Sequence, residues 1–252
     1  MVSKISERTI PKIREWQNRP LETVYPFVMM DAIYFKVRDD GHVRNSTAYV
    51  VLGVTLDRTK DILGIWIGVL NELKNRGVKD ILLFCVDGLT GIKEPIMAAF
   101  PKADIQRCII HQLRNLFKYV PYKDLKEFSR DFKNVYSAVS EEEGLANLYK
   151  IKEKWGKLYP FAFSSWESNW DVLSFFFKFP NEIRKIIYTT NAIEGLNRQF
   201  RKVTKSKSVF PSDTSLEKML HLASVNIIKM DPALPQLGPS FESIINNVSR
   251  PY

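Results

Sequence analysis

Apolar and polar positions repeat with two different periods along the chain, and the period changes near residue 107. Ahead of it, short runs rich in β-branched and aromatic residues predict strands at 25–37, 47–56, 61–67, 80–86 and 104–106. Asp39-Asp40-Gly41 is a hairpin turn signal, so the first three strands are expected to form an antiparallel meander. Asp80–Val86 is almost wholly apolar, which is typical of a strand buried on both faces.

Helical periodicity accounts for most of the remaining chain. It predicts helices at 5–17, 69–74, 91–100, 108–119, 122–138, 141–155, 166–178 and 191–204. The resulting order is three strands, helix, strand, helix, short strand, a helical block and a last helix. This is the order of a ribonuclease-H-like α/β fold, a mixed sheet with an all-helical insertion before its last helix.

The same changes of pattern divide the chain into predicted segments. These are the end of a preceding helical region (1–22), the first part of the core (23–107), the helical insertion (108–187), the last part of the core (188–230) and an atypical tail (231–252). The tail contains DPALPQLGP, which is loop-like and is expected to be disordered.

Composition favours a polyanionic partner. The 252 residues are 45% hydrophobic and carry a net charge of +9, which favours nucleic acid over an anionic membrane surface. No apolar run reaches membrane-spanning length, and residues 1–22 do not resemble a signal peptide. Cys85 and Cys108 are too few for a disulfide framework. A cytoplasmic protein, associated with the nucleoid when it is bound to DNA, is therefore expected.

Three carboxylates fall where a metal site can be built. Asp31 lies inside the apolar first strand, where an unpaired carboxylate is costly. Asp87 ends the buried fourth strand, and strand ends are where α/β sheets place their ligands. Glu194 lies in the first turn of the last predicted helix. If they converge, the three acids repel one another unless a cation lies between them. Oxygen ligands favour Mg²⁺ or Mn²⁺, and two ions about 3.5–4 Å apart suit phosphodiester chemistry.

Each carboxylate also has a purely structural interpretation. Asp31 can pair with a buried lysine or arginine, with about even odds from the residue alone. Asp87-Gly88 is also a common turn sequence, and Asn191 with Glu194 has the spacing of a helix cap and its partner. Singly, none of the three indicates catalysis. The prediction rests on three acids at suitable topological positions in a basic protein.

Basic residues follow two of the predicted helices. One helical stripe consists of Arg107, His111, Arg114 and Lys118. A solvated helix face is the commoner explanation of such a stripe, and contact with DNA phosphates is the more specific alternative. A second basic group follows Glu194 and contains no acid: Arg198, Arg201, Lys202, Lys205 and Lys207. For this group, phosphate contact is at least as well supported as a solvated helix face. Asn197 belongs to the same predicted DNA-binding group.

Two further patterns carry weaker signals. Cys108-x-x-His111 resembles half a zinc site, but the chain has no second close pair of cysteine and histidine, so a structural zinc is not predicted. Trp155, Trp166 and Trp170 lie in the helical block, where core packing is favoured over stacking on an unpaired base.

Four segments in succession resemble the signatures of Mutator-like bacterial insertion-sequence transposases, of the DDE superfamily. They are VMMDAIYFKVR (28–38), FCVDGLTGIKEPI (84–96), QRCIIHQLRN (106–115) and YTTNAIEGLNRQFRK (188–202). WESNWDVLSFFFKFP (166–180) resembles the insertion-domain segment of that family. The similarity runs in order from about residue 3 to about residue 229.

This resemblance implies metal-dependent DNA strand cleavage and strand transfer at the ends of an insertion sequence. The catalytic and metal-binding triad carries over onto Asp31, Asp87 and Glu194, with Mg²⁺ or Mn²⁺ as cofactor. The family's C-x-x-H and T-T-N-x-x-E motifs fall on Cys108, His111, Thr189, Thr190, Asn191 and Glu194. Expected partners are transposon-end and target DNA and further copies of the chain on that DNA, with no membrane.

The chain departs from the family pattern in three places. A preceding region that recognises transposon ends is expected to be missing. Ile67-Gly68 runs directly into Val69, which indicates an internal deletion; about ten missing residues correspond to about 15 Å of helix. Residues 231–252 do not resemble the family's C-terminus. The alternatives are therefore an inactive remnant that binds DNA non-specifically and, more weakly, a structure-selective nuclease of the same fold.

Overall fold

The computed structural model describes residues 2–66, 70–88, 91–188 and 191–230, and the chain divides into two compact units. The first unit comprises Met1–Cys85, Leu89–Asp104 and Asn191–Tyr252. The second comprises Val86–Gly88 and Ile105–Thr190. The predicted tail and residues 67–69, the site of the predicted deletion, lie outside the described residues.

The strands are β1 (Val24–Asp39), β2 (His42–Val54), β3 (Lys60–Trp66), β4 (Asp80–Val86) and β5 (Asp104–Arg107). They form a mixed sheet in the order β3-β2-β1-β4-β5. Antiparallel pairing of β1 with β2, and of β2 with β3, confirms the predicted meander. The α/β class is therefore confirmed, and β4 has the predicted bounds because its almost wholly apolar sequence leaves little ambiguity.

The turn between β1 and β2 shows how local sequence directs the sheet. Asp40 and Gly41 both have positive φ, 45° and 83°, as a two-residue type I′ turn requires. Glycine adopts that conformation at no steric cost, and aspartate tolerates it better than most residues. The ladder continues up to the Asp39–His42 pair. For this reason β2 begins at His42, earlier than the prediction of 47.

The helices lie before β1, between the later strands and after β5. They are α1 (Val2–Asn18), α2 (Leu70–Asn75), α3 (Lys93–Ala99), α4 (Ile109–Phe117), α5 (Tyr122–Tyr136), α6 (Glu141–Trp155), α7 (Pro160–Glu167), α8 (Trp170–Leu173), α9 (Asn181–Tyr188), α10 (Asn191–Thr204) and α11 (Asp213–Met230). A 3-10 turn, Phe175–Lys178, follows α8. Most predicted helices are confirmed to within a few residues.

One predicted helix is wrong and others were missed. The segment 166–178 is not a single helix, because the chain turns at Ser168 and Asn169 and continues as α8 and the 3-10 turn. The side chain of Asn169 donates to the Ser165 carbonyl at 2.7 Å and so competes with the helical backbone. Sequence analysis did not identify α7, α9 or α11 as separate helices.

In the first unit, α10 packs on β1 and β2, and α11 packs on β3 and α10. α1 contacts α11 through Trp16, whose ring meets that of His221 edge-on at 5.1 Å. Burial lowers the pKa of His221 below its usual value, because the charged imidazolium is poorly solvated there. α1 is thus part of the first unit.

A polar network stabilises the side of this unit where α1 ends. Asp61 on β3 accepts hydrogen bonds from Arg19 (2.5 Å) and from the hydroxyl of Tyr25 (3.1 Å). Arg76 donates to the carbonyls of Arg19 (3.0 Å) and Leu63 (2.5 Å). Burial lowers the pKa of Arg76 to about 10. These contacts connect the end of α1, strands β1 and β3, and the turn after α2.

The second unit has a core of packed aromatic rings. Phe128 of α5 is fully buried among the rings of Phe117, Phe132, Trp155, Tyr159 and Phe163, with centroid distances of 5.7–6.4 Å. Trp166 is also buried and meets Phe132 edge-on at 4.7 Å. Trp155 and Trp166 are 6% and 1% exposed, so both are core residues.

We expect Gly144→Ala to destabilise the second unit. A Cβ on Gly144 of α6 would lie 2.7 Å from Cζ of Phe177 and 3.0 Å from the Val135 carbonyl oxygen. Helix propensity favours alanine by about 1 kcal/mol, but overpacking costs about 1–3 kcal/mol. The expected result is a net loss of about 1 kcal/mol, measured by urea denaturation.

Gly195→Ala is the matched control, because Gly195 also lies in a helix but its Cβ would meet nothing within 4 Å. That variant should be as stable as the wild type or more stable by up to about 1 kcal/mol. Equal stabilisation by both substitutions would show that Phe177 yields freely to the added methyl group.

Candidate functional site

Asp31 is a buried carboxylate in the middle of β1. It is 4% exposed, and its Oδ1 accepts the backbone N–H of Ala32 at 2.8 Å. Its Oδ2 accepts a hydrogen bond from Nδ2 of Asn197 on α10. Asn197 is neutral, so this hydrogen bond orients the carboxylate without cancelling its charge. Asp31 therefore faces α10, the helix that also carries Glu194.

Asn197 lies inside the first unit rather than on its surface. It is 2% exposed, and its Oδ1 has no hydrogen-bond partner among the described residues. Sequence analysis placed it with the DNA-binding residues, but Ile193, Asn197, Phe200 and Thr204 share the buried face of α10. Their spacing of four, three and four is the signal from which the burial of Asn197 could have been predicted. Its observed role is to hold Asp31.

Glu194 lies one helical turn before Asn197, so both side chains project from similar faces of α10. It is half-buried. Thr189 and Thr190 lie outside the described residues, and Asn191 is described only as the first residue of α10. The structure therefore describes the Glu194 end of the predicted T-T-N-x-x-E motif.

In the second unit, Asp87 lies beside His111 of α4. The Oδ1 of Asp87 is 3.5 Å from the Nδ1 of His111 and accepts the Gly88 N–H at 2.6 Å. The buried Nδ1 of His111 has no hydrogen bond within the described chain. A nitrogen lone pair and a carboxylate oxygen repel at this distance unless a proton or a cation lies between them.

Arg107 supports the backbone next to Asp87. Its guanidinium donates to the Asn169 side chain and, at 3.3 Å, to the Gly88 carbonyl. The Cys108 N–H donates to the Val86 carbonyl at 2.8 Å, and the Cys108 side chain is buried. Asn169 was not identified from the sequence, because nothing in the segment around it singles it out.

The other basic residues predicted on α4 and α10 face solvent. Arg114 and Lys118 are exposed, and Lys118 donates to the Asn115 side chain at 2.8 Å. On α10, Arg198, Arg201 and Lys202 are exposed, as is Lys205 just beyond its end. Both groups are therefore accessible to a phosphate.

The exposed face of α10 borders a groove of about 830 Å³ in the first unit. Its walls are the segment Ile33–Lys36 of β1, Asn45 of β2, the second half of α10 and the loop that leads to Phe210. The cations that line it are Lys36, Arg198, Arg201, Lys202, Lys205 and Lys207. No acidic residue is among the described residues of the lining.

The strand order places the strand that carries Asp31 next to the strand that Asp87 follows. The first and fourth strands, β1 and β4, are neighbours in the sheet. Asp31 lies on β1, and Asp87 is the residue that directly follows β4.

None of the helices in the described part of the chain combines the length and the apolar composition that a membrane span needs. Residues 1–229 match the family model described as "Transposase, Mutator family". A probable transposase of an ISRM3-like insertion sequence element from Sinorhizobium fredii is 44% identical over 237 residues, which cover 90% of this chain and 59% of that protein.

Two further relatives show the same pattern at lower identity. A probable insertion-sequence transposase from Corynebacterium diphtheriae is 37% identical over 90% of this chain and 69% of its own length. The transposase of IS256 in transposon Tn4001 from Staphylococcus aureus is 29% identical over 87% of this chain and 59% of its own length. The chain thus spans about three fifths of the Sinorhizobium and Staphylococcus proteins. By the family match over residues 1–229, this chain belongs to the Mutator family of transposases.

Proposed function

We propose that this chain is the catalytic core of a DNA transposase that cleaves DNA strands and transfers them at insertion-sequence ends. We assign it a ribonuclease-H-like fold with a helical insertion before α10. The observation that carries the proposal is the buried Asp31 carboxylate, held by Asn197 of the helix that bears Glu194. The family membership and the basic surface of α10 support the same function.

Asp31, Asp87 and Glu194 are the residues we assign to Mg²⁺ or Mn²⁺, as ligands of two ions. Carboxylate oxygens are the donors that these cations prefer. The Asp87–His111 contact fits a cation, because two ligands about 2.1 Å from one ion lie about 3–3.5 Å apart. The observed 3.5 Å between Oδ1 and Nδ1 matches that separation.

A bound divalent cation activates a water or a 3′ hydroxyl and stabilises the leaving oxygen of a phosphodiester. The chain itself supplies the geometry. The Ala32 N–H and the Asn197 amide fix the two oxygens of Asp31. Arg107 holds the backbone at Gly88, beside Asp87. Because these side chains are oriented before the substrate binds, little reorganisation is needed during the reaction.

DNA is the proposed partner, bound through phosphates. Arg198, Arg201, Lys202 and Lys205 are exposed and offer charges to the backbone of the substrate strand, as do Arg114 and Lys118 of α4. We assign Arg107 to positioning as well as to phosphate contact, because Asn169 and Gly88 already engage its guanidinium. His111 is assigned to the metal centre beside Asp87 rather than to a phosphate.

The proposed organisation follows the sequence segments 23–107 and 188–230 as core and 108–187 as insertion. We further propose that more than one copy of the chain acts on the two ends of the element. Because of the predicted deletion at Gly68 and the atypical tail 231–252, the proposal must be tested by measuring the activity of this chain itself.

The test is strand cleavage by the purified chain on a labelled duplex that carries one end of the element, taken from the DNA flanking its reading frame. We expect nicked products with Mg²⁺ or Mn²⁺ and none with EDTA. Salt-sensitive DNA binding without any cleavage in either metal would contradict catalysis and support a non-catalytic DNA-binding remnant. Cleavage of branched DNA lacking transposon ends would indicate a structure-selective nuclease.

A further inference from the structure

The groove between β1 and α10 has an exposed aromatic side chain at its rim. Tyr34 is 67% exposed, although it lies on a strand whose other residues from Tyr25 to Ile33 are buried. Tyr34 and Lys36 are exposed and alternate with the buried Ile33 and Phe35, and all four residues line the groove. Tyr34 lines the groove together with the six cations of its walls.

The wall of the groove opposite α10 is held in place by backbone pairing. Phe210 forms a parallel bridge with Val37 of β1. Its N–H donates to the Lys36 carbonyl, and its carbonyl accepts the Arg38 N–H, both at 2.8 Å. The rings of Phe35 and Phe210 meet edge-on at 5.8 Å. The loop that carries Lys207 is therefore anchored to the same strand as Tyr34, and the groove is preformed.

The groove begins beside the proposed catalytic carboxylate. Ile33 lines the groove and lies two residues from Asp31, which is about 7 Å along a strand. Tyr34 is three residues from Asp31, or about 10 Å along the strand. A strand with its reacting phosphate at Asp31 would pass Tyr34 within a few nucleotides.

We propose that this groove holds an unpaired segment of the DNA strand next to the reacting phosphate, with the Tyr34 ring stacked on a base. Positive charge without acidic residues fits a phosphate backbone, and an exposed ring fits a base that has left its pair. The volume of about 830 Å³ lies within the range of pockets that hold small organic groups, such as a base. The inference rests on the proposed function and names the form of DNA that this site prefers.

Binding is measured without metal, in EDTA, so that no cleavage can occur. The full chain is titrated into a fluorescent single-stranded oligonucleotide and, separately, into the same sequence as a duplex. We expect Tyr34→Ala to weaken single-strand binding about 10-fold and duplex binding less than about 2-fold. Tyr34→Phe keeps the ring and should bind like the wild type. Tyr149→Ala, which removes another half-exposed tyrosine from α6, is the matched control.

The charged wall is tested by salt dependence. Lys205→Gln should lower the slope of log affinity against log salt for the single strand by about 0.7, whereas Lys126→Gln on α5 should leave it unchanged. Equal weakening of single-strand and duplex binding by Tyr34→Ala, or no weakening of either, would overturn the inference.

The outcomes separate this inference from the proposed function. Tyr34-dependent single-strand binding by a chain that never cleaves DNA would uphold the groove and refute the catalytic role. Metal-dependent cleavage by a chain whose single-strand binding does not depend on Tyr34 would uphold the catalytic role and refute the proposed groove. Failure to bind the single-stranded oligonucleotide at all would overturn the inference.

Discussion

Asp31→Asn should lower the rate of metal-dependent strand cleavage by about 1,000-fold, equivalent to about 4 kcal/mol of activation free energy. The substitution nearly keeps the shape of the side chain but removes the negative charge, and the new amide nitrogen cannot accept one of the two hydrogen bonds that Ala32 and Asn197 donate. If Asp31 binds a cation, the loss of that charge removes a ligand from the reacting centre. The rate is measured from nicked product formed under single-turnover conditions.

Asp40→Asn is the matched control for this experiment. Asp40 is exposed in the turn at the end of β1, with φ of 45°, a conformation that asparagine also tolerates. It should cleave like the wild type. Calorimetric titration with Mn²⁺ should show weaker binding to Asp31→Asn than to Asp40→Asn. Cleavage retained by a folded Asp31→Asn protein would refute the assignment of Asp31 to the catalytic triad.

Phe128→Ala should destabilise the second unit by about 3–5 kcal/mol. Phe128 is fully buried, and the rings of Phe117, Phe132, Trp155, Tyr159 and Phe163 surround it. These rings belong to α4, α5, α6, α7 and the turn before α7, so they cannot all move together to fill the space. The loss includes both the buried area of the ring and the cavity that remains.

Stability is measured by urea denaturation, followed by the fluorescence of Trp155, whose ring centroid is 5.7 Å from that of Phe128. Phe161→Ala on α7 is the control, because Phe161 is 71% exposed. Its effect should stay within about 0.5 kcal/mol. If the two substitutions cost the same, the aromatic cluster does not form the core of this unit.

The contacts of Asp31 could not be predicted from the sequence. The sequence alone marked Asp31 as an acid in an apolar strand, and a buried ion pair was an equally good explanation. The structure shows a neutral amide on one oxygen and a backbone N–H on the other. These contacts orient both oxygens of the carboxylate, as the hydrogen-bond partners of metal ligands do.

Predictions from the sequence succeeded where a local pattern had one interpretation. β4 was predicted with its observed bounds because its apolar run is short and is followed by Asp87-Gly88. α6 was also predicted to the residue, since Ser140 caps the Glu143 N–H at 3.2 Å and Glu143 accepts the Val139 N–H at 2.9 Å. Such signals depend on neighbouring residues and need no tertiary contact.

Predictions failed where distant residues decide the local structure. The segment 166–178 is apolar enough for one helix, but Asn169 contacts Arg107, and the Phe176 N–H donates to the Gln106 side chain at 2.7 Å. Those partners lie more than sixty positions away in the chain. α11 was missed for a different reason, because no distinctive sequence pattern accompanies Ser212 at its start. In the structure, the Ser212 hydroxyl accepts the Ser215 N–H at 3.2 Å and so caps the helix.

The sequence by itself determined the family, the α/β class, the antiparallel meander and the identity of the charged groups, because motifs, turn residues and periodicity are local properties. Only the tertiary structure decided what each group faces. It brought Asn197 to Asp31 across 166 positions, set His111 against Asp87, and opened a cationic groove beside Tyr34. Contacts of this kind depend on how strands and helices pack, and side-chain spacing along the chain does not encode them.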